Sequence, residues 1–306
     1  MRFQILHETH YVYSDPVYAI AMEARLQPCN DDYQSCQRYR LVVSPKVTVE
    51  EYSTFSDLRV QYWTLLKASE VQIVSDSVVD IRERPLLEIQ VPSLELDPIE
   101  FYAWLHDTTL TKVTPGIQAF ASQFEQIAAE DWYQATLAVQ HTIHEAIDFE
   151  SSHTTTDTTA SEVLELGCGV CQDFTHLMLA TLRQLGIPAR YASGYLNQYI
   201  GKPTTQKQIM LNGTVHQETT SSETFVEGMI VPSLRGTGAS HAWCEVFFGP
   251  QYGWRGFDAA NNLLVDQNFI RIGAGRDFRD ITPVKGVHKG PAEEDLKVTV
   301  KVIQLT

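Results

Sequence analysis

From Arg2 to about Ile81 the apolar residues fall in short β-branched and aromatic runs. Tyr11-Val12-Tyr13, residues 39–43 and residues 60–65 are bounded by Ser-Asp-Pro, Ser-Pro and Ser-Asp turn signals, and residues 71–74 and 78–81 continue the series. Strands with no helical segment between them predict an antiparallel β-sandwich. Pro85, Pro92 and Pro98 then mark a connecting stretch. After Pro115 the period changes. Phe120, Phe124 and Ile127 share one helical face, and Trp132, Leu137, Val139, Ile143 and Ile147 form a second helical segment. The Ser/Thr-rich run 151–159 reads as a loop or a helix cap. Phe174, Leu177, Met178, Leu182 and Leu185 predict a helix from about Cys171 with one buried side, stopped by Gly186 and Pro188. Residues 189–196, 241–248, 254–258 and 298–303 read as strands again, with a shorter candidate at 229–231. The expected fold is α+β: an N-terminal β-sandwich domain over residues 1–95, then helices packed on an antiparallel sheet over 96–306.

Composition narrows the function classes. The chain has 306 residues, 43% hydrophobic and 20% charged, enough for a large core. A formal net charge of −15 disfavours nucleic acid and anionic membrane as partners, since both reward Lys and Arg. The N-terminus turns polar too soon for a signal peptide, and no stretch approaches the roughly 18 apolar residues of a membrane span. Five cysteines, sparse and odd in number, argue against a disulfide framework and for a reducing, cytoplasmic setting.

Three separated segments carry candidate chemistry: Gly169-Val-Cys-Gln-Asp173, Ser240-His-Ala-Trp243 and Gly256-Phe-Asp258. A thiol that attacks a carbonyl needs a base, and the base needs a carboxylate to fix its tautomer. Cys171 falls at a helix start, where unpaired N–H groups favour thiolate and can hold an oxyanion. If Phe248 pairs with Gly253 across the turn 249–253, Asp258 lies diagonal to His241 on the same strand face; a one-residue slip would separate them. Trp243 shares that face and is a candidate substrate-contacting wall. A rival set, Cys168, Cys171, His241 and Cys244, has the residue types of a zinc site. His241 and Cys244 are three apart on a strand, however, and point to opposite faces. No metal or cofactor is expected.

These blocks resemble the bacterial transglutaminase-like family, a branch of the papain-like thiol fold. The likeness runs through residues 169–176, 183–191, 193–195, 239–245, 253–258, 275–277 and 283–287, with 7–13 and 26–28 matching the family's N-terminal β domain. The resemblance implies Cys171 as nucleophile, His241 as general base, Asp258 as orienting carboxylate, and a thioester formed from a peptide or protein amide. Water would then make the chain a protease or amidase, the preferred reading; a lysine amine would make it a cross-linking transferase, and without turnover it would be a binding module that kept the fold. The chain departs from the pattern in three places. Ala259-Ala-Asn261 stands where the family has Pro-Thr-Asn, which removes a backbone restraint beside Asp258. Phe55-Ser-Asp57 replaces a Phe-Gly-Asn turn, and the stretch from Tyr195 to His241 is long. Asp173, His176 and Arg190 are expected to be structural, Arg190 against an internal carboxylate.

Overall fold

The computed structural model describes residues 1–54, 58–84, 90–197, 207–211, 214–218, 234–235 and 239–305. The expected turn at 55–57 and strand at 229–231 lie outside the described residues.

The N-terminal part is built from β1 (Arg2–Ala24), β2 (Gln34–Ser44), β3 (Glu50–Ser53) and β4 (Arg59–Ile81). Of the short strands expected from the sequence, 39–43 falls within β2, while 11–13 belongs to β1 and 60–65, 71–74 and 78–81 to β4; β1 and β4 are 23-residue strands paired antiparallel along most of their length. Ser14-Asp15-Pro16 is an irregularity, with register shifting between Val12 and Val17, and the strand continues beyond it. Pro16 has no N–H to donate, so it sits where the ladder is already broken. Where a sandwich is expected, the described N-terminal strands belong to one antiparallel sheet. Tyr11, Tyr13, Val17, Ile20, Met22, Trp63, Val71 and Ile73 meet in a core of their own.

The middle of the chain forms α1 (Tyr102–Leu105), α2 (Pro115–Ser122), α3 (Glu125–Glu130), α4 (Trp132–Ala146), β5 (Asp148–Phe149), α5 (Ala160–Leu166), β6 (Cys168–Gly169) and α6 (Cys171–Gln184). Thr159 caps α5 in a reciprocal box with Glu162, using the Ser/Thr-rich run as a helix start. Then come β7 (Ala189–Leu196), the hairpin β8 (Lys207–Leu211) and β9 (Thr214–Glu218), β10 (His241–Phe247), β11 (Trp254–Asp258), β12 (Leu263–Leu264) and β13 (Phe269–Gly275). Five of these make an antiparallel sheet in the order β12-β11-β10-β7-β13.

Helix α6 is buried on every side from Gln172 to Arg183, where the sequence stripe predicts one buried face. Its polar residues survive burial because each finds a backbone partner. Thr175 and Thr181 donate to carbonyls one turn back, and the Arg183 guanidinium donates to the Ala189 and Arg276 carbonyls and to Thr111.

The last two strands, β14 (Val284–Lys289) and β15 (Glu294–Leu305), leave the second part and pair with β1. The expected boundary assigned residues 284–305 to the second domain; they complete the N-terminal sheet instead. β15 adds a ladder of twelve residue pairs along Arg2–Tyr13, on the edge of β1 that β4 leaves open. Phe3, Ile5, Val79, Ile81, Val300 and Val302 then join the helical core, so the two parts share one apolar interior.

Candidate active site

Strands β10 and β11 pair with Phe247 opposite Trp254 and Cys244 opposite Phe257, and Phe248 N–H donates to the Gly253 carbonyl. This is the register that puts Asp258 diagonal to His241. His241 Nε2 lies 2.7 Å from Asp258 Oδ2, and both side chains are fully buried. The ring's other nitrogen, Nδ1, is buried and holds no hydrogen bond.

Cys171 is the first residue of α6, half-buried against the helical core. Asp173 fixes the approach to it: Oδ2 accepts from the Val170 main-chain N–H at 2.8 Å and from Thr154 Oγ1 at 2.7 Å. The carboxylate thus caps the helix start, the structural role expected for it. A Cβ at Gly169 would sit 2.6 to 2.9 Å from the Asp173 side chain, so the capped geometry needs glycine there.

Electrostatics tie the pieces together. Burial alone would lower the His241 pKa. The Asp258 charge, and next the Cys171 sulfur, outweigh it and raise the pKa from 6.5 to about 10. Cys171 and Asp258 therefore act on the same imidazole, and with Nε2 committed to Asp258, Nδ1 is the nitrogen left for the thiol.

The turn after Asp258 is held by hydrogen bonds in place of the family proline. Asn261 donates from Nδ2 to Asp258 Oδ2 at 2.8 Å and from its main chain to Oδ1 at 3.3 Å. Its Oδ1 accepts from the Arg235 main chain at 2.7 Å, and its Nδ2 also reaches the Arg235 carbonyl at 3.2 Å. His144 Nδ1 contacts the Ala259 carbonyl at 3.1 Å, and Arg235 Nη1 donates to that of Ala260.

Two family models match the chain: the transglutaminase-like superfamily core over residues 118–259 and the bacterial transglutaminase-like N-terminal region over residues 3–80. The chain belongs to the transglutaminase-like superfamily. Among its relatives is an uncharacterized protein of Mycobacterium leprae, 27% identical over 99% of both chains. An uncharacterized Mycobacterium tuberculosis protein is 28% identical over 99% of this chain and 92% of its own. The crystal structure of a candidate cysteine protease from Cytophaga hutchinsonii shares the fold, with a TM-score of 0.70 and 21% identity, covering 100% of this chain and 92% of that one.

Other residues of the family motifs fall away from the reacting atoms. Trp243, expected as a substrate wall, is 1% exposed and packs with Ala192, Leu196 and Phe269. Its ring lies 5.4 Å from Phe269 and 6.4 Å from His241. It is covered because glycine at 194 lets the neighbouring strand close over it; a Cβ there would meet the indole at 2.7 Å. His176 is buried, accepts from the Phe278 main-chain N–H, and has its pKa pulled down to about 3 by burial. Cys244 lies in the core beneath α6, away from His241. Arg190 meets an internal carboxylate, Glu245, as expected. The sequence reading missed the roles of Asn261 and Arg235. Two signals point to Asn261: it is the one residue kept where the family has Pro-Thr-Asn, and it lies three residues after Asp258, the spacing of an Asx-type turn. Among the described residues, no helix is long and apolar enough to cross a membrane.

Proposed function

We propose that the chain is a cysteine-dependent amide hydrolase, a protease or amidase acting through a thioester on a peptide or isopeptide amide. The observation that supports it most is the buried His241–Asp258 pair, whose imidazole keeps one nitrogen open while interacting with the Cys171 thiol. In this reading the Cys171 thiolate attacks the amide carbon and the carbonyl π electrons move to oxygen. The main-chain N–H of Cys171 has no intrahelical acceptor at a helix start and is the first candidate donor to that oxyanion. The intermediate collapses as the C–N bond breaks, and the His241 imidazolium gives its proton to the departing amine. Water, deprotonated by the now neutral imidazole, then attacks the thioester and releases the acid and the thiol. Asp258 holds the imidazole in one tautomer throughout. A reducing, cytoplasmic compartment would keep the thiol competent.

The test is alkylation by iodoacetamide near pH 7 followed by peptide mapping. Cys171 is expected to react faster than Cys29, Cys36, Cys168 and Cys244, and to lose that advantage in His241→Ala. Equal labelling of all five cysteines would sink the reading. A screen of peptide and isopeptide amides with and without an added primary amine separates outcomes further. Acid release unaffected by amine supports hydrolysis, whereas amide formed with the amine would make the chain a transferase.

A further inference from the structure

We infer that Asn261 is a positioning residue for the Asp258 carboxylate, joining it to the Arg235 backbone ahead of the histidine strand. The inference rests on the reading of Cys171, His241 and Asp258 as the working site. Asp258 Oδ2 accepts both the imidazole and the Asn261 amide, at 2.7 and 2.8 Å, and Oδ1 accepts the Asn261 main-chain N–H. A carboxylate held at both oxygens cannot rotate about its last bond, so the imidazole it bonds is held as well. The other side of Asn261 is equally committed. Its Oδ1 takes the Arg235 N–H, and its Nδ2 reaches the Arg235 carbonyl. Arg235 is further fixed through Nη1 to the Ala260 carbonyl and through its guanidinium 5.8 Å from the Phe149 ring. Next to it, Leu234 packs against the cluster that contains Trp243. The chain six residues before His241 is thereby fastened to the acid that orients His241, through one amide.

An amide suits this position because it carries a donor and an acceptor at once. An aspartate at 261 would keep the acceptor for the Arg235 N–H but set a second negative charge against Asp258. The substitution therefore separates a positioning role from a purely architectural one. The readout is the rate of Cys171 alkylation by iodoacetamide in the full chain, with thermal unfolding measured alongside. Asn261→Ala is expected to slow alkylation roughly tenfold, the scale of one hydrogen bond to a charged group. Asn261→Asp is expected to slow it at least as much. In an Asp258→Asn background, adding Asn261→Ala should change the rate by less than about twofold, because the two residues act through one contact.

Recovery of the rate in Asn261→Asp would overturn the inference, as would effects of Asn261→Ala and Asp258→Asn that simply multiply. In both cases the triad reading survives, since Cys171 would still depend on His241 and Asp258. If Cys171 in the unaltered chain reacts no faster than the other cysteines, both readings fall together. Should Asn261→Ala fail to fold, Asn261→Asp keeps the tie to Arg235 and decides the question alone.

Discussion

His241 and Glu245 stand four residues apart on one face of β10, both buried, both in ion-pair contact with groups on other strands of the sheet. Their surroundings differ in one respect. Glu245 is paired at both oxygens: Arg190 donates to Oε2 at 2.7 Å, and Arg271 Nε forms an ion pair with Oε1 at 2.8 Å. Arg271 also reaches Cys29 Sγ, while Gln34 bonds the Arg271 main chain in both directions, so the cluster fastens the five-stranded sheet to the N-terminal part. His241 has Asp258 on one nitrogen and, among the described residues, only the Cys171 sulfur to interact with on the other. A buried carboxylate held in ion pairs at both oxygens serves to hold structure, whereas an imidazole with one nitrogen facing a thiol can move a proton.

The sharpest way to break this contrast is to remove each partner in turn. His241→Gln should lower Cys171 alkylation near pH 7 by about 30-fold, because a thiol of ordinary pKa, about 8.5, is only a few per cent thiolate there. Its unfolding midpoint should move less than that of Glu245→Ala, because Asp258 retains both Asn261 donors. Glu245→Ala leaves two buried guanidinium groups facing each other and should cost about 3–5 kcal/mol in denaturant unfolding. Its folded fraction should alkylate at the rate of the unaltered chain. If Glu245→Ala slows alkylation as much as His241→Gln does, the division between chemistry and architecture on this strand is wrong.

The two residues were unequally legible beforehand. Cys171, His241 and Asp258 each sit in a short segment whose structure is set locally: a glycine-led helix start, a strand, and a strand returned by a five-residue turn. Counting from Phe248 and Gly253 was enough to bring the His–Asp pair together, because alternation leaves a single register that works. The Glu245 cluster depends on β7, β10, β13 and the stretch from Cys29 to Gln34, four pieces whose adjacency is decided by tertiary packing. Arg190 could be expected to find some carboxylate, but nothing local says which. The same limit hid the return of β15 to β1, a pairing between the two ends of the chain. The continuity of β1 through Ser14-Asp15-Pro16 was hidden for a different reason. Local turn chemistry pointed one way, and the long ladder with β4 won.

Titration should separate the two residues by sign. The His241 pKa is raised, burial lowering it but Asp258 and then Cys171 overcoming that. Its contribution to stability is complete below its unfolded value of 6.5 and is lost as pH rises toward about 10. The Glu245 pKa is lowered from 4.5 to about 2. Burial would raise it, and Arg271 and then Arg190 outweigh burial. Its contribution is complete above 4.5 and is lost as pH falls toward 2. Unfolding measured from pH 2 to 10 should therefore lose an alkaline component in His241→Gln and an acid component in Glu245→Ala. A shared pH window would mean that the clusters titrate as one network.

The smallest expected effect tests whether support that touches no charge stays out of the chemistry. His144 bonds the Ala259 carbonyl, and Gln140 donates to Asn262 Oδ1 at 3.0 Å, so α4 braces the turn that carries Asp258. Neither group reaches the carboxylate. Removing a neutral hydrogen bond of this kind costs about 0.5–1.5 kcal/mol. His144→Ala should lower stability by that much and leave the pH dependence of Cys171 alkylation where it was, because Asn261 still holds both carboxylate oxygens. A shift of the alkylation profile in His144→Ala would show that the turn's backbone, and not the Asn261 amide, sets the position of the acid.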